Sequence, residues 1–393
     1  MPSALIYKMR LTAPNMPGTA SHNSNYVKYI AEREHAMKLS PESESGLFGK
    51  IGGIFSKELN VVNTQQYIYE KSKSGSTIFN AYISFRPEIV KQLELDNIDK
   101  WQNYIKCHTE TLMRGYGIPK DRFEYIAAVH DKKGQPHIHI SFWDTNPPVT
   151  IQFVRKEISD EVRKKLIHDT FSNELSYYYG ISNQAMSDAK DLTEKMMIDF
   201  ERDISGMYSD KFSYVDITED IIRKYAEILN NLPKRGRIAY AYLPKEMKDK
   251  VIGMIKEMIM LPKMKSIIND YYTGARSAAE MFDSKETENG KSEIDRKMRK
   301  AAGDLYNRLG NIILKSMLRT LKENNEQKEK DKAELSTHMT VDSMIYALNA
   351  VSRLLRTQGA SGTVNTAHAL LDELSKQAKI DLAKQRQDKG HEV

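Results

Sequence analysis

Three of the chain's ten histidines fall within ten positions, in the stretch AVHDKKGQPHIHISFW at 128–143. Alternate side chains of a β-strand share one face of the sheet, so His137 and His139 point the same way, about 7 Å apart along the strand. The intervening DKKGQP lies between two β-rich runs and predicts a hairpin. Such a hairpin would bring His130, on the neighbouring strand, close to the other two.

Converging imidazoles are a ligand set for a divalent ion. Three neutral ring nitrogens bind such an ion and leave coordination positions open, as in a catalytic rather than a structural site. The ion would then activate water, or polarise a phosphoryl oxygen while another residue attacks. The alternative is that the histidines line the solvated face of an antiparallel hairpin. The hairpin geometry and apolar flanks favour a metal site formed by His130, His137 and His139.

The stretch SNYVKYIAEREHAMKL near the amino terminus offers a nucleophile for that chemistry. Its first residues, Ser and Asn, are typical helix N-caps, and good helix formers follow. Tyr26 and Tyr29 are three apart and therefore share a helix face, joined by Arg33 four residues beyond Tyr29. The alternative is two amphipathic tyrosines packed on the core with solvated hydroxyl groups. The helix by itself favours this structural alternative, because tyrosine is often half-buried.

The periodicity of apolar residues predicts the elements that position these side chains. Residues 3–12 alternate as a strand, and three further runs have strand character, at 79–85, 123–130 and 136–143. Residues 87–117 are predicted to form one long helix or two, ended by Gly115 and Gly117. The segment 40–76 is rich in Ser, Gly and Lys and is predicted to be a long loop that folds over a substrate.

From about residue 153 the pattern is almost wholly helical, with one interruption, LPKRGRIAYAYLP at 232–244. This interruption mixes basic and aromatic residues, which suits contact with DNA phosphates and stacking on bases. The candidate DNA-binding residues are Lys234, Arg235, Arg237, Tyr240 and Tyr242. The alternative is a connection whose tyrosines pack on neighbouring helices.

The composition narrows the class of protein. With 393 residues, 40% of them hydrophobic, the chain can bury at least one full core. Its net charge of +6 permits an anionic partner without requiring one. A single cysteine, Cys107, excludes an internal disulfide framework and fits a reducing compartment, and its helical context predicts a buried position. Because no apolar run approaches the roughly 18 residues of a membrane span, we expect a cytoplasmic protein without membrane insertion.

The motifs together resemble a known family. A leading strand, YIAERE on a helix, and VH followed by PHIHI in paired strands are similar to the MobP-type relaxases of conjugation and mobilisation, specifically MobL-like Gram-positive members of the HUH endonuclease group. The resemblance covers about residues 1–180 and implies that Tyr29 attacks the scissile DNA phosphate while the three histidines bind the metal. Arg33 is a candidate to assist. Two features depart from the pattern, because the spacing after His130 is one residue shorter than in some members and Tyr26 competes as the nucleophile.

The resemblance implies the fold of the N-terminal domain, and the sequence pattern predicts the organisation of the rest. We expect an α+β protein whose N-terminal HUH-type domain has a central antiparallel sheet, with helices packed on one side and the metal on the open face, followed by a mostly helical C-terminal region. The predicted domains are 1–210, the nuclease; 211–322, a helical domain with a DNA-binding or accessory role; and 323–393, a charged linker, an amphipathic helix and a loose tail.

The implied function is nicking of one DNA strand at an origin of transfer, through a 5′-phosphotyrosyl intermediate. The implied cofactor is a divalent metal ion, Mn²⁺ or Mg²⁺. The implied partners are single-stranded DNA at the origin, a coupling protein and accessory DNA-binding proteins. Two alternatives remain open at this point: a three-histidine metallohydrolase of a small substrate, with Tyr29 structural, and a non-enzymatic plasmid DNA-binding protein.

Overall fold

Six strands form one antiparallel sheet in the computed structural model, which describes residues 3–12, 14, 16–206, 219–233, 236–283 and 292–330. All neighbouring strands in this six-stranded sheet run antiparallel, in the order β1-β4-β6-β5-β2-β3. The strands are β1 (Leu5–Leu11), β2 (Phe48–Ile51), β3 (Ile54–Ser56), β4 (Phe79–Phe85), β5 (Phe123–Asp131) and β6 (Pro136–Asp144). The predicted antiparallel sheet and α+β class are therefore confirmed.

Helices cover both faces of the sheet. On one face, buried residues of α3 (Pro87–Gln92), α4 (Ile98–Tyr116) and α5 (Lys156–Thr170) pack against Ile138 and Ile140 of β6. On the other face, α1 (Thr19–Glu32) and α2 (Val61–Lys73) pack against Ile126, Ala128 and Trp143. The expectation of helices on one side only is wrong, because the histidine face also carries an apolar patch that must be buried.

The hairpin of β5 and β6 has the predicted form. Lys133 and Gly134 in its turn have φ angles of 59° and 71°, the left-handed region that a tight connection requires and that glycine adopts without strain. Residues 87–117 form two helices, α3 and α4. Gly117 ends α4 with a φ of 66°, whereas Gly115 lies within the helix.

The prediction of a long loop at 40–76 is wrong. This segment contains the β2–β3 hairpin and helix α2. The Asn60 side chain caps α2 by accepting a hydrogen bond from the Asn63 amide at 3.0 Å. The buried positions of α2 follow a helical period, but two of the four are polar, so the apolar pattern is weak; they are Val61, Thr64, Ile68 and Ser72.

Two further expectations are corrected. Helix α1 begins at Thr19, earlier than the predicted Ser or Asn cap, and ends at Glu32 with Arg33 already extended. Cys107 is exposed rather than buried, because it falls outside the stripe of α4 that faces the sheet, which includes Trp101, Ile105 and Leu112.

The chain divides into two compact units. Unit 1 comprises Met1–Tyr179 and Arg276–Met298, and unit 2 comprises Gly180–Ala275 and Arg299–Val393. The remaining helices are α6 (Ser172–Gly206), α7 (Glu219–Asn230), α8 (Lys245–Met260), α9 (Pro262–Phe282) and α10 (Glu293–Lys330). They confirm the predicted helical C-terminal region. None of the helices in the described part of the chain is long and apolar enough to cross a membrane.

The core of unit 2 is rich in methionine, a flexible side chain that fills irregular gaps between helices. Its buried methionines include Met197, Met254, Met258, Met264 and Met317. The predicted domain boundary at residue 210, and the amphipathic helix and tail predicted near the carboxyl end, lie outside the described residues.

We expect Gly49→Ala to destabilise the protein by about 1–3 kcal/mol. A Cβ at this position of β2 would lie 2.2 Å from the Tyr125 carbonyl oxygen and 2.8 Å from the Ile126 Cα, and neither backbone atom can move without disturbing β5. Urea unfolding would measure the effect. Gly303→Ala in α10 is the matched control, since a Cβ there meets nothing within 4 Å and should add roughly 1 kcal/mol of stability. Equal midpoints for the two variants would contradict this packing.

Candidate active site

The β5–β6 hairpin brings the three histidines together. His130 lies directly opposite His137 in the register, and His139 lies opposite Ala128. One ring nitrogen from each histidine lies within 4.8 Å of the others. The ring centroids are 4.7 Å apart for His130 and His139, 5.3 Å for His137 and His139, and 5.6 Å for His130 and His137. The predicted convergence of imidazoles on one face is present.

Each of these rings has a partner for one of its two nitrogens. His130 Nε2 lies 2.7 Å from the Ile30 carbonyl oxygen, and His137 Nδ1 lies 3.1 Å from the Gln135 carbonyl oxygen. His139 Nδ1 lies 3.0 Å from the Tyr26 hydroxyl. A carbonyl accepts only from an N–H, which leaves the other nitrogen of His130 and His137 as a lone-pair donor. Metal-binding histidines are oriented by such outer hydrogen bonds, so the ring set fits a divalent ion.

Burial keeps the imidazoles neutral. Desolvation lowers the pKa of His130, His137 and His139, and for His139 the pKa falls to about 3. The neighbouring histidines and Arg33 add smaller effects in the same direction at His139. Only a neutral imidazole has a lone pair for a metal. The site therefore presents ligands in the required protonation state at neutral pH.

Two tyrosines of α1 face this histidine cluster. The Tyr26 and Tyr29 rings stack with centroids 5.8 Å apart, and they lie 6.3 and 6.5 Å from the His139 ring. Tyr26 is half-buried, and desolvation raises its pKa to about 12 although the Arg10 charge opposes the rise. Tyr29 is 44% exposed. The Arg33 guanidinium lies over the Tyr29 ring, 4.8 Å from its centroid. The two tyrosines thus differ in their exposure to solvent, since Tyr26 is half-buried and Tyr29 is exposed.

The chain after α1 fixes the helix beside the histidines. Ala36 forms an isolated antiparallel bridge with His130. The Met37 amide donates to the Val129 carbonyl at 2.8 Å, and the Asp131 amide donates to the His35 carbonyl at 2.9 Å. This segment therefore extends the sheet at the end of β5. The helix has to end at Glu32 for the chain to turn into this pairing.

Tyr82 is a site residue that the sequence reasoning missed. It pairs with His139 in the β4–β6 register, and its ring centroid lies 5.0 Å from that of His137 and 5.5 Å from that of His139. The alternation of FNAYISF places Tyr82 on the polar face of its strand. This alternation does not show which strand lies next to β4, so the sequence alone could not link Tyr82 to the histidines.

The segment 232–244 belongs to unit 2, and its described tyrosines lie in different environments. The Tyr240 amide donates to Asn311 Oδ1 at 2.9 Å, and its ring packs so closely on Gly310 that a Cβ there would lie 2.7 Å from Tyr240 Cδ2. Tyr242 is 65% exposed, with the Arg237 guanidinium 5.3 Å from its ring centroid. Lys234 and Arg235 lie outside the described residues.

Comparison with known proteins identifies the family. The sequence model of the MobL relaxases matches residues 8–363, which is most of the chain. The chain therefore belongs to the MobL relaxase family, and the resemblance seen in its first 180 residues is confirmed. Relaxases nick DNA for mobilisation and bind single-stranded DNA. No curated protein and no solved structure gave a significant match.

Proposed function

We infer that this chain nicks one DNA strand at an origin of transfer by tyrosine transesterification, with Tyr29 as the nucleophile. The observation that carries the assignment is the contrast between the two tyrosines beside the histidine cluster. The Tyr26 hydroxyl is engaged with His139 Nδ1 at 3.0 Å, whereas Tyr29 is exposed and lies next to Arg33. A DNA phosphate can reach the exposed hydroxyl without breaking a bond that orients a histidine.

The reaction exchanges one phosphodiester for another. The Tyr29 oxygen forms a bond to the phosphorus and gives up its proton. The bond between phosphorus and the 3′ oxygen of the preceding nucleotide breaks, and that oxygen takes up a proton. The products are a 5′-phosphotyrosyl link and a free 3′-hydroxyl. The bond energy is conserved in the covalent intermediate, so a 3′-hydroxyl can attack in reverse and rejoin the strand.

The side chains around Tyr29 supply the assistance that a phenol requires. A free phenol has a pKa near 10, so little phenolate is present at neutral pH. The Arg33 charge beside the ring favours the phenolate and stabilises negative charge on a bound phosphate. His130, His137 and His139 would hold Mn²⁺ or Mg²⁺. Such an ion, when bound, withdraws charge from a phosphoryl oxygen.

Tyr26 acts in this proposal as a positioning residue for His139. We expect Tyr26→Phe to lower the affinity for Mn²⁺ by roughly 10–100-fold, as removal of an outer hydrogen bond does at other metal sites, and to leave the covalent adduct detectable at saturating Mn²⁺. Calorimetric titration and a denaturing gel would measure the two effects. Loss of the adduct at saturating metal, with the metal affinity unchanged, would make Tyr26 the nucleophile instead.

We assign a DNA contact in unit 2 to Arg237 and Tyr242, together with Lys234 and Arg235. The exposed Tyr242 ring beside a guanidinium suits base stacking next to a phosphate contact. The packing of Tyr240 supports a structural role for that residue. We expect Tyr242→Ala to weaken binding of single-stranded DNA by roughly 5–100-fold, and Tyr242→Phe to bind normally, because a base stacks on either ring. Equal affinity of the alanine variant would remove Tyr242 from the interface.

Adduct formation tests the proposed function. The full chain is incubated with Mn²⁺ and a 5′-labelled or 3′-labelled single strand that carries the origin of transfer of its own element, then denatured and separated on a gel. We expect a protein-linked band from the strand labelled on the 3′ side of the nick, lost when EDTA is present. Cleavage without a protein-linked product would favour a metallohydrolase. Binding without cleavage would favour a DNA-binding protein that is not an enzyme.

A further inference from the structure

Two of the six described strands, β1 and β4, do not share in the apolar cluster that α1 and α2 form on the histidine face of the sheet. Among the described residues, the apolar cluster beneath α1 and α2 draws on β5 and β6 but includes none from β1 or β4. The side chains of β1 on this face are exposed, and those of β4 are half-buried. They are Ile6, Lys8 and Arg10 on β1, with Asn80, Tyr82 and Ser84 on β4. We call these six residues the β1–β4 strip.

Strand register connects this strip to the candidate active site. Lys8 lies opposite Tyr82, and Tyr82 lies opposite His139, so the three form one row across neighbouring strands. Directly opposite residues of antiparallel strands point to the same side. Lys8 and Arg10, two positions apart on β1, therefore face the same side as the metal ligands.

We propose that the β1–β4 strip binds the single-stranded DNA next to the scissile phosphate, with Lys8 and Arg10 contacting backbone phosphates and Tyr82 stacking on a base. This inference rests on the proposed function, since it assigns the path of the strand that Tyr29 attacks. The side chains of the strip suit single-stranded DNA, because two cations can contact an anionic backbone and an aromatic ring can stack on bases of any sequence. The strip also leads directly to the ring of His139.

The strip differs from an ordinary solvated sheet face in the placement of its groups. Its two basic residues lie on one strand and its aromatic residue lies on the next, between the cations and the histidines. A protein segment that paired with the outer edge of β1 would instead depend on main-chain hydrogen bonds and not on Lys8 or Arg10. Charge dependence therefore distinguishes the two occupants.

The test uses the full chain, fluorescein-labelled oligothymidine and fluorescence anisotropy in EDTA, which keeps metal loading out of the comparison. We expect the double variant Lys8→Ala/Arg10→Ala to bind more weakly, with a slope of log K against log salt that is shallower by ~0.7 for each lost phosphate contact. The control is Lys120→Ala/Arg114→Ala, which removes the same charge from exposed positions at and beyond the end of α4, a helix that packs on the opposite face.

A second pair of variants tests the stacking role. We expect Tyr82→Leu to lose roughly tenfold in affinity and Tyr82→Phe to bind as the wild type does. An unchanged salt slope for Lys8→Ala/Arg10→Ala, or an equal loss in the control pair, would overturn the proposal. The outcome is independent of the chemistry at Tyr29. If the wild type forms adducts but the strip variants bind DNA normally, the strip proposal fails and the proposed function stands. If DNA binding depends on the strip but no adduct forms, the proposed function fails and the strip proposal stands.

Discussion

Replacement of His139 by alanine is expected to abolish metal-dependent nicking and to lower the affinity for Mn²⁺ by more than the roughly 10–100-fold that loss of an outer hydrogen bond causes. His139 lies at the centre of the site, in contact with both other histidines and with Tyr26. Its centroid lies 4.7 Å from that of His130 and 5.3 Å from that of His137, and its Nδ1 meets the Tyr26 hydroxyl. Without it, two imidazoles remain and the Tyr26 hydroxyl loses its hydrogen bond to β6.

Isothermal titration with Mn²⁺ and the denaturing gel measure these two effects on the same preparation. His168→Ala is the matched control, because His168 is largely exposed on α5 and faces none of the site residues. A His139→Ala protein that bound Mn²⁺ with wild-type affinity and still nicked DNA would remove the histidine cluster from the mechanism. Normal activity of the wild type in excess EDTA would do the same for the metal.

Tyr29→Phe is expected to reduce adduct formation by roughly 10⁴-fold or more, the scale on which loss of a covalent nucleophile acts. The substitution removes one oxygen from a side chain that is 44% exposed and leaves the ring beside Arg33. Folding, Mn²⁺ affinity and DNA binding should therefore be unchanged. This separates the variant from His139→Ala, which loses metal affinity and activity together.

The comparison of Tyr29→Phe with Tyr26→Phe is the internal control. The proposal predicts that the Tyr29 variant binds metal normally and forms no adduct, and that the Tyr26 variant binds metal weakly and forms the adduct once metal is saturating. An adduct formed by Tyr29→Phe at the wild-type rate would show that another residue attacks. Tyr26 would then be the first alternative, since it lies on the same face of α1.

Local patterns predicted the part of the site that depends on local structure. The turn DKKGQP between two β-rich runs is sufficient to predict the β5–β6 hairpin, and the hairpin places three histidines on one face. The first strand and the presence of a tyrosine helix are likewise local features. The helix ends were less well predicted, because the residue before α1 is Gly18, which offers no side-chain cap.

Features that depend on distant pairing could not be predicted from the residues. Nothing in residues 35–37 indicates that they pair with the end of β5, yet this pairing positions Tyr26 and Tyr29 beside the histidines. The strand order that puts β4 next to β6, and so Tyr82 next to His139, is equally non-local. The two tyrosines differ in one hydrogen bond, from Tyr26 to His139. Because both tyrosines lie on the same helix face, their spacing in the sequence does not reveal this difference.

The identity of the residue that carries the DNA tests the central claim most directly. The wild-type adduct is digested with nuclease and trypsin, and the peptides that retain a nucleotide are sequenced by mass spectrometry. Trypsin cleaves after Lys28, so Tyr26 falls in the peptide 11–28 and Tyr29 in the peptide 29–33. The account predicts a nucleotide joined through its 5′ phosphate to Tyr29, in the peptide YIAER. A nucleotide attached to the peptide 11–28, or to any other tyrosine, would contradict this assignment.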